Sequence, residues 1–379
     1  METKLLNGNN KEAIAEASKI LQDGGLVAFP TETVYGLGAD ALNADAAAKI
    51  YAAKGRPSDN PLIVNIADTD AVEKLADLET MNRTHPDMVK KAYMLMEAFW
   101  PGPLTIIFPK LAIVPDGTTG GLPTVAIRMP SHPIAQELIR TSGVSIAAPS
   151  ANTSGRPSPT TAQHVWEDMD GRIEMILDGG AVGIGIESTI VDMTGTIPTI
   201  LRPGFITKTM LSEIVGDVTI DPAIIEPDPN LRPKAPGMKY THYAPHGTLS
   251  IVEAVADESA NRASLHSGVK VSYNATEAET LRVAEKIKAL VNEKEAQGYK
   301  VAILTTKEHA SLYKNYSHVL IVGEGSKGQT ISARLYAALR ECDSEQMEYM
   351  YSEAFDQNEL GGAIMNRLLK AAGHRVITV

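Results

Sequence analysis

Apolar residues recur at helical spacing in the opening segment, where Ile14, Ala17, Ile20 and Leu21 precede a stop at Gly24 and Gly25. That pattern predicts a helix. Short apolar runs follow at residues 26–29, 62–66, 104–108, 124–128, 144–148, 173–177 and 188–191, each the length of one strand. Helical patterns lie between several of them, at 44–53, 87–98 and 133–142. Strands alternating with helices predict an α/β domain whose twisted sheet is mixed rather than purely parallel. The texture changes from Ile220 to Gly247, where Pro227, Pro229, Pro233, Pro236 and Pro245 crowd one stretch. Proline at this density stops helices and central strands, so an extended linker is expected. Beyond it, strands are expected at 249–255, 300–305 and 318–322, helices at 275–295, 331–341 and 360–372, and a closing strand at 375–379. This reads as a smaller α/β domain of the open, doubly wound kind. The expected organisation is a first domain over residues 1–215, a linker over 216–247 and a second domain over 248–379.

The chain is 379 residues long, with 44% hydrophobic and 21% charged positions, the balance of a globular protein with a sizeable core. No apolar run approaches the roughly 18 residues of a membrane span. The first ten residues lack a basic segment followed by an apolar one, so no signal peptide is expected. Cys342 is the one cysteine, which excludes an internal disulfide framework and any multi-cysteine metal site. A cytoplasmic location is the expectation. The net charge is −11, and Lys plus Arg against Asp plus Glu is 16 to 24 over residues 1–205 and 19 to 22 over 206–379. Neither portion is basic, which argues against a broad nucleic-acid surface but leaves room for a local cationic pocket.

The chain lacks the phosphate-loop pattern, a strand-anchored dinucleotide fingerprint, the paired-histidine zinc motif and the nucleophile elbow. Five other stretches could carry chemistry. The first, 30–38, reads PTETVYGLG: small polar side chains at a strand end, then two glycines, suit close approach to a polar ligand or a capped turn. The second, 54–61, puts Lys54, Arg56 and Ser58 on a loop bracketed by prolines, where an Arg fork and a compact Lys charge suit a phosphate or carboxylate. A solvated basic helix end gives the same Lys-x-Arg. The third is Arg128 in the apolar run VAIRMP; a cation in that context needs a partner, either a ligand or a salt bridge. The fourth, AAPSANTSGRP, carries Ser150, Asn152 and Arg156, with hydroxyl and amide on one side if the backbone is extended. The fifth is the ESTI step at Ser188 followed by LRPG at Arg202. His242 and His246 flank Pro245, which prevents a shared helix face and disfavours metal binding there.

In their order and spacing these stretches resemble the threonylcarbamoyl-AMP synthases of the YrdC-like type, in the long form with a C-terminal extension. The resemblance rests on PTETVYGLG, the KxRP loop with NPLIV, WPGPLT, VAIRMP, AAPSAN, ESTI, LRPG and the linker stretch APGMKYTHYAP, and covers nearly the whole chain. It implies a YrdC-like first domain with a concave site on a twisted mixed sheet and a smaller Rossmann-like second domain. It implies that L-threonine, bicarbonate or CO2, and ATP with Mg²⁺ become L-threonylcarbamoyl-adenylate and pyrophosphate. A tRNA-modifying threonylcarbamoyl transferase complex would then use that product on the adenosine beside the anticodon. By resemblance, Thr31, Asn65, Arg128 and Ser188 meet threonine. Lys54 and Arg56 carry the catalytic charge, and with Ser58, Thr124, Ser150, Asn152, Arg156 and Arg202 they bind ATP. Tyr243, with His242 beside it, covers the site from the linker, and no protein-bound metal is implied. Asn65 stands where many relatives carry histidine, and its amide can still donate a hydrogen bond. Two other functions share parts of this pattern. Carbamoyl-adenylate-forming enzymes of hydrogenase maturation carry zinc-finger segments, which a single cysteine argues against. A double-stranded RNA-binding module would need a cationic surface that the acidic balance disfavours, and its binding would strengthen steeply as salt falls.

Overall fold

The structure, a computed structural model, describes residues 2–224, 234–236, 243–254, 276–355 and 360–379. By contact the chain divides into two compact units, one of Met1–Ser154 with Ser158–Tyr240, the other of Gly155–Pro157 with Thr241–Val379.

Local chemistry accounts for the helices of the first unit. Helix Lys11–Gln22 starts at Asn10, whose side chain accepts from Glu12 N, and buries Ala13, Ile14, Ala17 and Leu21 along one stripe. Helix Pro133–Ser142 opens with proline at its first position and stops at Gly143, whose φ of 68° is a left-handed cap. Its buried residues Ile134, Ala135, Leu138 and Ile139 join those of the first helix and the strand residues Val27, Phe29, Met175 and Leu177 in one core cluster. Each fully buried aliphatic side chain there contributes about 1.5–3 kcal/mol.

Eleven strands of this unit form one sheet: β1 (Lys4–Asn7), β2 (Val27–Phe29), β3 (Gly36–Asp40), β4 (Ile63–Asn65), β5 (Leu104–Pro109), β6 (Thr124–Arg128), β7 (Ile146–Ala147), β8 (Met175–Asp178), β9 (Thr189–Asp192), β10 (Thr199–Arg202) and β11 (Thr219–Ile220). Their order is β1-β8-β2-β3-β7-β4-β6-β5-β9-β10-β11. Parallel pairs such as β4 with β6 stand beside antiparallel ones such as β5 with β6, so the sheet is mixed, as the pattern predicts. One expectation changes. Gly36 and Gly38 lie inside β3, where a Cβ on Gly38 would come within 2.7 Å of Ile146 and 2.8 Å of Phe29. The second glycine therefore makes room for neighbouring side chains, not for a ligand.

The second unit holds β12 (Thr248–Glu253), β13 (Val301–Thr305), β14 (Val319–Ile321), β15 (Tyr349–Glu353) and β16 (Val376–Thr378), ordered β14-β13-β15-β12-β16. All four pairings are parallel, and helices Glu277–Ala296, Gly328–Ser344 and Leu360–Ala371 intervene in the chain, which makes this an open α/β sheet. The central β15, YMYSE, has no counterpart among the expected strands: its run is only five residues and ends in Ser352 and Glu353. Both polar residues are buried. Glu353 is held there by Tyr313 Oη, which donates to it at 2.7 Å, and by His309 Nδ1 at 2.8 Å.

That hydrogen bond to Glu353 raises the His309 pKa above its ordinary value, against the opposing effect of burial. A raised folded-state pKa gives stability that is full below the unfolded value of about 6.5 and is lost as pH rises through the folded one. Hydrogen exchange of β13 and β15 amides should therefore speed up across that window beyond its intrinsic pH dependence. His309→Gln should abolish the excess, and an unchanged pH response in the variant would contradict this account.

Candidate active site

Helix Ala44–Lys54 begins at Asn43, whose side chain accepts from Asp45 N and Ala46 N, and ends at Gly55 with φ 60°, a left-handed turn that glycine adopts freely. Lys54 occupies the last turn and is 3% exposed. Its ammonium donates to the carbonyls of both Ser150 and Asn152, while its own carbonyl accepts from Ser154 N at 2.8 Å. A buried cation has to find oxygen acceptors, so Lys54 ties the 150–154 loop to the end of its helix. On that loop Ser150 Oγ donates to Asn152 Oδ1 at 2.5 Å and Asn152 Nδ2 donates to Thr153 O at 2.8 Å. The Ser-x-Asn pair thus meets on one side, as its spacing predicts.

Arg56 donates from Nε to Asn60 O at 3.3 Å and from Nη2 to Pro61 O at 3.1 Å, which curls the 55–61 loop and leaves Ser58 exposed upon it. Tyr51 Oη reaches Asn60 O at 3.2 Å and Gly117 O at 3.0 Å; burial pushes its pKa up to about 12, so it remains a donor at neutral pH. Gly120, with φ 60°, packs against the same loop, where a Cβ would stand 2.9 Å from Asp59 O. Thr124 opens β6, paired in register with Pro109.

Arg128 closes the same strand, roughly 13 Å from Thr124 at about 3.3 Å per residue. Its Nη1 donates to Thr33 Oγ1 at 3.0 Å, its Nε to Gly102 O at 3.3 Å, and its Nη2 lies 2.7 Å from Glu32 Oε1. Gly102 is required at its turn because a Cβ would meet Phe99 O at 2.4 Å. Thr31 Oγ1 shares a hydrogen bond with Thr33 Oγ1 at 2.9 Å and donates to Val34 O at 2.7 Å, so Thr31 and Arg128 are linked through one hydroxyl. Asn65 is in register with Arg128 on β4, and its Nδ2 donates to Ile63 O and Ile146 O, both at 3.3 Å.

Thr105, in register with Arg128 on β5, shares a 2.7 Å hydrogen bond with Ser188 Oγ. Arg202 donates from Nη2 to Ser188 Oγ at 3.1 Å and from Nε to Ser188 O at 3.0 Å. A shift in the β9–β10 register between Ile200 and Arg202 accompanies this placement, the way a bulge re-aims a side chain. Thr31, Asn65, Arg128, Ser188 and Arg202 thus form one group linked by hydrogen bonds and strand register. Lys54, Arg56, Ser58, Ser150 and Asn152 form a second around the 55–61 and 150–154 loops. The two adjoin: Ala151 N donates to Tyr35 O at 2.8 Å and Ser150 forms a bridge with Gly36, a few residues from Thr31 and Thr33.

Arg156 groups with the second unit, where Nη2 lies 3.5 Å from Asp343 Oδ2. Tyr243 belongs to that unit too: φ is 68°, its ring lies 5.1 Å from that of Tyr336, and the Arg367 guanidinium stands 5.9 Å over it. The expectation for His242 lies outside the described residues. Sequence reasoning passed over Glu32, Thr33 and Thr105 as individual side chains. Their signal was the alternation of hydroxyl and carboxyl groups in PTET and the threonine closing WPGPLT. Among the described residues no group of three or more His, Cys, Asp or Glu is placed to hold a metal ion.

Nearly the whole chain is similar to known proteins. A family model described as "Telomere recombination" (Sua5, YciO, YrdC) matches residues 19–204, and one described as "Threonylcarbamoyl-AMP synthase, C-terminal domain" matches 206–373. The threonylcarbamoyl-AMP synthase of Bacillus subtilis is 46% identical over 97% of this chain and 95% of its own length. That of Pyrococcus abyssi is 41% identical over 98% of both. A crystal structure of P. abyssi Sua5 complexed with L-threonine covers the whole of both chains at 40% identity, with a TM-score of 0.84.

Gly204 admits Arg202 to Ser188, since a Cβ there would lie 2.5 Å from Thr189 N and 2.8 Å from Glu187 O. Gly204→Ala should force the backbone apart at about 1–3 kcal/mol, measured by denaturant unfolding, and pull Arg202 off Ser188. Wild-type stability in that variant would show the contact to be slack.

Proposed function

The chain belongs to the threonylcarbamoyl-AMP synthase family and makes L-threonylcarbamoyl-adenylate for tRNA modification, and from that premise we propose how its residues divide the work. The observation that carries the division is that the polar side chains form two adjoining groups, one around Arg128 and one around Lys54, joined where Ala151 N donates to Tyr35 O.

Threonine takes the Arg128 group: Arg128 and Ser188 meet its carboxylate, and Thr31 and Asn65 supply hydroxyl and amide contacts. P. abyssi Sua5, to which this chain is similar, is complexed with L-threonine. ATP takes the adjoining Lys54 group, where Arg56, Ser58 and the Ser150–Asn152 pair meet phosphates and nucleotide. Lys54 holds that loop in place and adds positive charge beside it. Thr124, Arg156 and Tyr243 are assigned to the nucleotide as well. Arg202, on Ser188, neutralises charge in the threonine group and bears on the nucleotide through the carbamate. The amine of threonine is its own nucleophile towards CO2, so the chemistry asks for no protein nucleophile. Cys342 suits none, being buried with its pKa pushed up to about 12, first by burial. The carbamate oxygen then attacks the α-phosphorus, the bond to the bridging oxygen breaks, and pyrophosphate leaves with that electron pair. Catalysis of such a step rests on alignment and charge neutralisation.

The donors in the nucleotide group are cations, hydroxyls and amides, with no cluster of three carboxylates among the described residues. That set fits Mg²⁺ carried on the triphosphate, held mainly by phosphate oxygens and water. Bound so, the ion would neutralise charge on the phosphates. The product passes to a threonylcarbamoyl transferase complex acting on tRNA. No described helix is long and apolar enough to cross a membrane, and the cytoplasm is where ATP, bicarbonate and tRNA meet.

Mass spectrometry of the protein incubated with ATP, Mg²⁺, bicarbonate and L-threonine tests this reading. A threonine-dependent threonylcarbamoyl-adenylate peak with pyrophosphate is expected. Arg56→Ala should lower it by at least a hundredfold while the circular dichroism spectrum stays unchanged. Product from carbamoyl phosphate in place of threonine and bicarbonate, or full turnover in the variant, would contradict the assignment.

A further inference from the structure

Among the described residues around Arg128, the Glu32–Arg128 pair is the one in which both partners keep an unmet hydrogen-bonding atom. Glu32 Oε1 and Arg128 Nη2 are 2.7 Å apart, with side chains 13% and 7% exposed. Both atoms are buried, yet the contact is not angled as a hydrogen bond and neither atom has another. The remaining atoms are engaged: Glu32 Oε2 accepts from Ser131 N at 3.1 Å, Arg128 Nη1 donates to Thr33 Oγ1 and Nε to Gly102 O. A buried donor and acceptor left misaligned bear their desolvation cost without the compensating bond. The pair is therefore poised to exchange this contact for better ones.

An α-amino acid zwitterion offers both at once. Its carboxylate suits the guanidinium edge at Nη2, and its ammonium, a few ångströms away across one carbon, suits the carboxylate at Oε1. We propose that Glu32 binds the α-ammonium of the threonine substrate, the zwitterion entering between Glu32 and Arg128. The proposal rests on the assignment of threonine to the Arg128 group. It makes Glu32 the residue that separates amino acids from hydroxy acids and simple carboxylic acids of the same shape. Those present an anion to Arg128 but leave Glu32 beside a group that cannot replace the lost cation. The ammonium matters to the reaction because its nitrogen, once it has released a proton to solvent, forms the bond to CO2, and a second proton leaves as the carbamate forms. A carboxylate holding that nitrogen fixes its position before the carbamate exists.

Calorimetric titration of the full chain with L-threonine, and with the hydroxy acid in which a hydroxyl replaces the ammonium, tests this. The wild-type protein should bind threonine at least tenfold more tightly than the hydroxy acid. Glu32→Gln keeps an oxygen acceptor for Ser131 N, and it should weaken threonine at least tenfold while changing the hydroxy acid less than twofold. Glu32→Asp should retain part of the preference, and it decides the question by the same comparison if the glutamine variant does not fold. Equal threonine affinity in wild type and variant, or parallel loss of both ligands, would overturn the proposal alone. Failure of the wild-type protein to bind threonine would overturn the assignment of threonine to this group and the proposal with it.

Discussion

Cations taken out of water must be met by oxygen atoms, and the first unit is arranged around three of them. Lys54, Arg128 and Arg202 are each less than a tenth exposed. Lys54 is met by two loop carbonyls, Arg202 by the carbonyl and hydroxyl of Ser188, and Arg128 by a hydroxyl, a carbonyl and Glu32. Each cation thereby orders a loop at a strand end, and those loops carry the remaining site residues. Removing one such partner leaves an uncompensated buried charge, at about 3–5 kcal/mol, so folding and function draw on the same contacts here.

The glycines make these approaches possible. Gly102 and Gly204 stand where a Cβ would lie within about 2.5 Å of backbone atoms, one presenting a carbonyl to Arg128 and the other bringing the chain of Arg202 against Ser188. WPGPLT and LRPG can thus be understood from steric need as well as from likeness to relatives. The site is an outcome of chain reversals that larger residues would not permit.

Much of this was legible in the sequence. The helix at 133–142 has its proline, its apolar stripe and its glycine stop in place, and the structure has it at Pro133–Ser142. The apolar runs at 104–108 and 124–128 pair as β5 and β6. What escaped did so for physical reasons. β3 carries two glycines that strand propensity disfavours, and only its neighbours Phe29 and Ile146 explain them. β15 ends in polar residues whose burial depends on Tyr313 and His309, far away in sequence. In the site, Arg128 was visible as a cation in an apolar run, but its partners came from two separate segments, Glu32–Thr33 and Gly102. Neither spacing nor composition reveals that Thr33 bridges it to Thr31, or that Ser188 lies under Arg202 and not apart from it.

Separate titrations of Arg128→Lys with L-threonine and with ATP–Mg²⁺ test the central claim, that the adjoining Arg128 and Lys54 groups hold different substrates. A lysine keeps the charge but loses the fork that reaches Thr33, Gly102 and a carboxylate together. Threonine affinity should fall at least tenfold while ATP affinity changes less than twofold. Loss of both ligands in parallel, or of ATP alone, would contradict the division.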